Sequence, residues 1–181
     1  MTDGQHSESI VIHAPIDKVW DWLVRQGQVH PHFFNGRLDA EAMKPGEPMC
    51  MRSPDGKYTS ITGHIVTYQP PHTFSHTLRF TSLDEPACQV DFHLSELADG
   101  TRFELACQHI PIGTQTERYL EQGAEFILHT LKGCAEQGKP PFKFQMMLWL
   151  MSLLSFTTPK RCRSEFWPLA SPTDESATKQ G

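Results

Sequence analysis

Along residues 73–80, TFSHTLRF, apolar and polar positions alternate, with Phe74, His76, Leu78 and Phe80 on one side and Thr73, Ser75, Thr77 and Arg79 on the other. Period two is the pattern of a strand with one buried face. Histidine is the odd member of the apolar side. It marks either a hydrogen-bonded imidazole inside a core or a polar group lining a space. Similar runs recur along the chain. SIVIH (9–13) reads as a short strand, and after the loop HPHFFNGR come LDAEAM, PMCMRS, YTSITGHIVTY, TFSHTLRF, ACQVDFHLSEL and TRFELACQHI, separated by turn formers such as PDGK, QPPH and ADG. Six closely spaced antiparallel strands follow from that punctuation.

Two segments carry helical periodicity instead. In APIDKVWDWLV, Pro15 suits a first helical turn, and Ile16, Val19, Trp20 and Leu23 recur at helical spacing. From Thr114 a capping-box pattern, Thr114-x-x-Glu117, opens a long helix. Its stripe of Leu120, Ala124, Ile127, Leu128, Leu131 and Cys134 ends before Gly138 and Pro140-Pro141. Gly123 falls on that stripe, where glycine costs about 1 kcal/mol relative to alanine. Close helix–sheet packing is the preferred explanation, and room for a ligand is the alternative.

The dipeptide Asp99-Gly100 predicts a two-residue hairpin loop that fixes register. Ala98 then faces Thr101, so Leu94 meets Leu105, Phe92 meets Cys107 and Val90 meets His109, and apolar positions pair with one another. The other face pairs Ser95 with Glu104, His93 with Ala106 and Asp91 with Gln108 as a solvated surface. Extending the register across TFSHTLRF places His76 opposite Phe92, and His76 and His109 about 11–12 Å apart at Cα, a separation that disfavours a shared metal ion.

Beyond the strands and the long helix, FKFQMMLWLMSLLSF (142–156) is apolar with Lys143 and Gln145 inside it, and is shorter than the roughly 20 residues a membrane-spanning helix needs. A C-terminal helix docked on its own domain, on a second copy as a homodimer or on a partner protein is expected. A membrane-surface helix with Lys160, Arg161 and Arg163 at the headgroups ranks behind it. The expected organisation is a flexible N-terminus at 1–7, a domain at 8–138, an apolar extension with a basic cluster at 139–168 and a disordered tail at 169–181.

Composition narrows the function classes. The 181 residues carry a net charge of −5 and 38% hydrophobic content, which fits a globular domain and gives no basic face for nucleic acid. Cys50, Cys88, Cys107, Cys134 and Cys162 are odd in number, scattered and without a C-x-x-C, so they suggest a reducing compartment rather than disulfides or zinc. The polar start MTDGQHSESI lacks the order of a signal peptide, and a cytoplasmic location is expected. G-x-S-x-G, P-loop and H-E-x-x-H patterns are missing, and the inward faces offer His76, His109 and two cysteines without a carboxylate. No catalytic residue, cofactor or metal is expected. His30-Pro31-His32 is read as a loop whose extended flanks point the two rings apart, in solvent or in loop packing.

Several stretches together resemble the START-related (SRPBCC) superfamily: APIDKVWDWL (14–23), FFNG (33–36), KPGEPM (44–49), SPDGKY (53–58), GHIVTYQPPHTFSHTLRF (63–80) and the helix from Thr114. PPHTFSHT is similar to the PP-x-x-F/L-x-x-T pattern of the branch related to activators of heat-shock-protein ATPase. The chain departs from that branch in carrying His30 and His32 where a tryptophan is more usual. The resemblance implies an α+β helix-grip fold, a curved antiparallel sheet of about seven strands wrapped on a long C-terminal helix, with an elongated apolar space between them. It also implies the functions found on this scaffold: binding of a lipid, polyketide or similar hydrophobic molecule, a co-chaperone-like interaction module with a role in stress response, or cyclase/dehydrase-type lyase chemistry. Binding is the preferred expectation, with the ligand lined by Phe74, His76, Leu78, Val90, Phe92, Leu94, Phe103, Leu105, Cys107, His109, Gly123 and Ile127.

Overall fold

A computed structural model describes residues 3–153 and 158–169. The chain runs β1 (Asp3–Ile12), α1 (Ile16–Val24), β2 (Val29–His30), a 3-10 turn (Pro31–Phe33), β3 (Gly36–Ala40), β4 (Pro48–Arg52), β5 (Thr59–Gln69), β6 (Thr73–Phe80), β7 (Cys88–Leu97), β8 (Gly100–Pro111), α2 (Gln115–Gln137) and α3 (Phe142–Leu153). All eight strands form one antiparallel sheet in the order β1-β8-β7-β6-β5-β4-β3-β2. Every connection except that from β1 leads to a neighbouring strand, and β1 closes the far side against β8. The helix-grip architecture is therefore present, with β2 added to the strands expected.

α2 forms where the periodic stripe predicts it. Thr114 Oγ1 accepts from the Glu117 amide at 3.3 Å, and Glu117 Oε2 accepts from the Gly113 amide at 2.8 Å, one residue before the position an ideal capping box would use. Glu85, from the β6–β7 loop, accepts from the Gln115 and Thr116 amides at 3.0 and 2.8 Å and places a carboxylate at the positive end of the helix. Gly138 ends it in the left-handed conformation, φ 73°. Ala124, Leu128, Leu131 and Ala135 face the sheet and join Phe74, Phe92, Phe103 and Leu105 in one core, with Val19, Trp20 and Leu23 of α1 closing an end.

Two expected registers shift by two residues. Leu97 pairs with Gly100, Leu94 with Phe103, Phe92 with Leu105 and Val90 with Cys107, because Ala98 and Asp99 make the turn and Gly100 belongs to β8. Gly100 has φ 152°, and a side chain there would collide with the Ile12 carbonyl oxygen. Its glycine thus serves the approach of β1 to the hairpin. On the other side of β7, His76 pairs with Val90 and Phe74 with Phe92. A shift of two keeps every residue on its expected face. Asp91 does lie on the face away from α2, but it is 3% exposed, not solvated. The amides of Gln89 and Gln108 donate to its carboxylate at 2.8 and 2.6 Å.

The terminal segments also differ from expectation. Residues 3–7, expected to be flexible, belong to β1. After α3, residues 158–169 lie as a strap with two 3-10 turns on the side of the sheet away from α2. The Ser164 amide donates to the Lys57 carbonyl at 2.9 Å, Arg52 Nη2 to the Trp167 carbonyl at 3.2 Å and Arg161 Nη2 to the Leu83 carbonyl at 3.1 Å. The Arg79 guanidinium sits 6.0 Å from the Trp167 ring centre. The strap buries Cys162 and accompanies the burial of Met49, Cys50 and Met51 in succession along β4. Residues 154–157 of the expected helix, and all of the expected tail except Leu169, lie outside the described residues.

Candidate functional site

The interior between sheet and α2 is organised around Phe92. Its ring lies 5.9 Å from each of Phe74, Phe103, Phe33 and His76, centre to centre, and is 1% exposed. β6 and β7 place Phe74, His76 and Phe92 there by strand alternation. Phe33 arrives from outside the sheet-forming repeats, on the 3-10 turn. Pro31 starts that turn, and Phe34 (φ 55°) and Asn35 (φ 59°) reverse the chain behind it.

The same turn corrects the expectation for His30 and His32. Their rings lie 5.1 Å apart rather than diverging, and both are buried, because the 3-10 turn curls the proline's C-terminal flank inward. His30 is held by two carbonyls, with Nε2 2.6 Å from the Arg25 oxygen and Nδ1 3.1 Å from that of Trp22. His32 packs 4.3 Å from Phe33, and neither of its ring nitrogens makes a hydrogen bond of good geometry, although the Leu23 carbonyl lies close enough to act on the ring. His76 places Nδ1 2.9 Å from the Thr77 carbonyl and leaves Nε2 unpartnered. Three buried imidazole nitrogens therefore lack well-formed hydrogen bonds in a surrounding that is otherwise aromatic and aliphatic.

Burial sets the charge state of these rings. It pushes His32 well below its ordinary value, with the adjacent His30 adding to the effect and the Leu23 carbonyl opposing it. Burial lowers His76 as well, against the opposing Thr77 carbonyl and Asp91 carboxylate, and lowers His30 against the two carbonyls beside it. Neutral His32 and His76 follow, each with one donor and one acceptor, and a neutral His30 donates to one of its two carbonyls only. The thiols move the other way: burial raises Cys88 to about 11 and Cys107 to about 12, so neither supplies a thiolate near neutrality. Among the described residues, no group of three or more His, Cys, Asp or Glu side chains is placed to hold a metal ion.

Of the expected lining residues, Phe74, His76, Leu78, Val90, Phe92, Leu94, Phe103, Leu105 and Cys107 are all buried in the core. His109 is not. Between Gly4↔Ile110 and His6↔Cys107 the β1–β8 register slips, and His109 adopts φ 56°, so this bulge turns its side chain out and brings Ile110, 3% exposed, in. Gly123 does not mark close packing on the sheet either. A Cβ there would meet only Phe34 Cζ and Cε2, at 3.8 and 3.9 Å, and Phe34 continues over the helix to stack on Phe126 at 4.2 Å. Ile127 is half-buried at the junction of the main core with the α3 contact.

His32 and Phe33 are the site residues that sequence reasoning missed. A polar residue between Pro31 and a Phe pair carries no period, and the only available signal was the replacement of an expected tryptophan by histidine. Two surface depressions, of about 520 and 360 Å³, are lined by His13, Pro15 and Gly100 and by Gln26, Leu38 and Leu169, respectively, away from these rings.

With this geometry the comparisons with known proteins can be placed. The sequence pattern of the family described as "Activator of Hsp90 ATPase homolog 1-like protein" matches residues 13–136, well over half the chain. The chain belongs to this family. No curated protein matches the sequence. Among solved structures, DynU16, a protein from the dynemicin biosynthetic locus, superposes with TM-score 0.62 at 23% identity over 77% of this chain, which spans about half (49%) of DynU16. CalU16 from Micromonospora echinospora superposes with TM-score 0.53 at 16% identity, over 84% of this chain and 85% of its own. Ara h 8.0201 does so with TM-score 0.58 at 14% identity, over 74% and 98%. Such identities establish a shared fold, and the matched segment runs from just after β1 to the last turn of α2.

Proposed function

We propose that the protein binds a small, largely apolar molecule between the sheet and α2, with His32 and His76 as the groups that fix its orientation. The observation that carries this is the set of three buried imidazole nitrogens without a well-formed hydrogen bond, His32 Nδ1, His32 Nε2 and His76 Nε2. A buried polar atom without a partner costs about 1–3 kcal/mol, and pockets for small molecules combine apolar walls with a few convergent polar groups. A ligand carrying a hydroxyl or carbonyl would satisfy these nitrogens and recover that cost. Because neutral imidazole both donates and accepts, either kind of group suits.

Phe33 fills the space beside Phe92, so binding requires it to withdraw. It sits on the short turn between Pro31 and the left-handed pair Phe34 and Asn35, a part of the wall not tied into a strand. Phe74, Leu78, Val90, Leu94, Phe103, Leu105, Cys107 and Ile127 would form the apolar wall, and Gly123 the gap under Phe34. His109 takes no part. Family membership and the likeness to DynU16 and CalU16 support a hydrophobic-ligand scaffold without specifying the molecule.

Native mass spectrometry against a panel of lipids and aromatic polyketides tests the proposal. A one-to-one complex is expected, weakened by roughly tenfold or more in His32→Phe and in His76→Phe, as loss of a polar contact of about 1.4 kcal/mol predicts. Absence of any complex across the panel, or complexes indifferent to both substitutions, overturns it.

A further inference from the structure

The turn that carries Phe33 into the core also reaches α3. Phe33 and Phe34 are consecutive and part company there. Phe33 is buried beside Phe92, whereas Phe34, 40% exposed, crosses α2 at Gly123 and stacks on Phe126 at 4.2 Å with 13° between the planes. Phe126 in turn meets Phe144 of α3 in a T-shaped contact, 5.0 Å between centres and 83° between planes. Phe144 and Leu148 are the two buried residues of α3, and they form with Phe126 a cluster separate from the main core. Phe126 is therefore shared: Phe34 packs on it from the turn, and the anchor of α3 packs on it from the other helix. A T-shaped pair depends on ring orientation, and the stacked Phe34 holds that orientation.

Three features make the turn and α3 able to change together. Phe34 and Asn35 both adopt left-handed conformations, φ 55° and 59°, which a bulky residue such as Phe keeps only while the contacts around it hold. The rings of His30, His32 and Phe92 stand 5.6, 4.3 and 5.9 Å from that of Phe33 and fill the directions a side-chain rotation would need, so Phe33 leaves the core only with its backbone, and Phe34 moves with it. Finally, α3 has a pivot. A Cβ on Gly133 would fall 2.6 Å from Pro141 Cδ and 2.9 Å from the Lys139 carbonyl oxygen, so the chain entering α3 rests on bare α2 backbone and stays there when the rest of the helix lifts. The Lys143–Glu125 pair, 3.3 Å and exposed on both sides, adds little to hold it.

We propose that the turn at 31–35 couples occupancy of the core to the docking of α3: withdrawal of Phe33 takes Phe34 off Phe126 and loosens the anchor made by Phe144 and Leu148. The trigger rests on the ligand reading above. The linkage of turn to helix stands on the Phe34–Phe126–Phe144 contacts alone. Coupling of this kind is reciprocal, so lifting α3 eases the opening of the turn by the same factor. A loaded chain then differs from an empty one at α3 as well as in its interior.

Amide hydrogen exchange of the full chain tests both directions. Phe34→Ala should speed exchange of residues 142–153 about three- to tenfold, the range that an aromatic pair of this kind contributes, with β6, β7 and β8 unchanged; Phe34→Tyr should restore the original rates. Phe144→Ala with Leu148→Ala should speed exchange of residues 32–35 by a similar factor, which a purely local loss of contact would not do. Oleate as a lipid probe, or an anthraquinone as an aromatic one, should speed exchange at 142–153 in the wild type and lose that effect in Phe34→Ala. A probe that binds one-to-one by mass spectrometry yet leaves α3 unchanged, or a turn indifferent to the Phe144/Leu148 pair, overturns the coupling and leaves the ligand reading intact. If neither probe nor any panel compound binds, the trigger falls together with the ligand reading.

Discussion

The Phe92 cluster and α3 are built from the same kinds of residue and reach opposite ends. Around Phe92, aromatic and aliphatic side chains from β6, β7, β8, the 3-10 turn and α2 enclose one another, and the few polar atoms among them are left short of partners. Along α3, Phe, Met, Trp and Leu have one docked face and one bare one. Burial is therefore conferred by neighbours from several elements and not by the apolarity of a segment. A strand in mid-sheet meets neighbours on both edges and a helix on its face. A terminal helix meets only what the rest of the chain leaves uncovered, and its residual apolar area becomes available to something else.

Truncation should separate the two regions most sharply. Phe92→Ala removes the ring that four others contact and should cost about 3–5 kcal/mol in urea unfolding. Trp149→Ser, equally aromatic to begin with, should stay within about 0.5 kcal/mol. Comparable losses at both positions would mean that α3 packs far more tightly than its exposure indicates.

Acidification sharpens the contrast from the polar side. His30, His32 and His76 have folded-state pKa values below the ordinary 6.5. The unfolded chain then binds more protons than the folded one as pH drops below 6.5, so their contribution is fully present above that value and is lost as pH falls toward the lowered folded values. The urea midpoint should decline between about pH 6.5 and 5. His32→Leu should flatten that decline and leave stability at pH 7.5 equal or raised by about 1 kcal/mol, since it removes two buried nitrogens that make no well-formed hydrogen bond. An unchanged slope would place His32 elsewhere than in the core.

The smallest effect is expected at the seam between the regions. Gly123→Ala adds a methyl at ordinary contact distance from Phe34 and removes a helix-interior glycine, and should stabilise by up to about 1 kcal/mol in thermal unfolding. If it also impairs ligand binding, the gap under Phe34 is used by the ligand.

Much of the strand and helix order was legible because period and punctuation are local. TFSHTLRF is β6 from its first residue to its last, and Thr114 and Gly138 bound α2 as expected. Face assignments survived a two-residue error in register because parity is unaffected by an even shift. They failed at His109, where a bulge adds a residue that no pattern in TRFELACQHI announces. The site was legible only on its strand side, through His76 and Phe92. His30, His32 and Phe33 depend on one turn folding under α2 and on carbonyls of α1, contacts fixed by tertiary packing and invisible to periodicity. Asp91 shows the same limit: its face was correct, and its burial depends on two glutamines bending over it.

The strap at 158–169 has a consequence for biosynthesis. Its anchors, from Arg52 to Leu83, leave the ribosome 78 to 115 residues before the groups that reach them. Nascent β4 and β5 must therefore wait with one side bare until the strap has been made. Emergence of the strap, not closure of the sheet, completes the cover of these strands, and premature stop codons after α2 would yield chains that keep the ring cluster yet offer naked strands to chaperones.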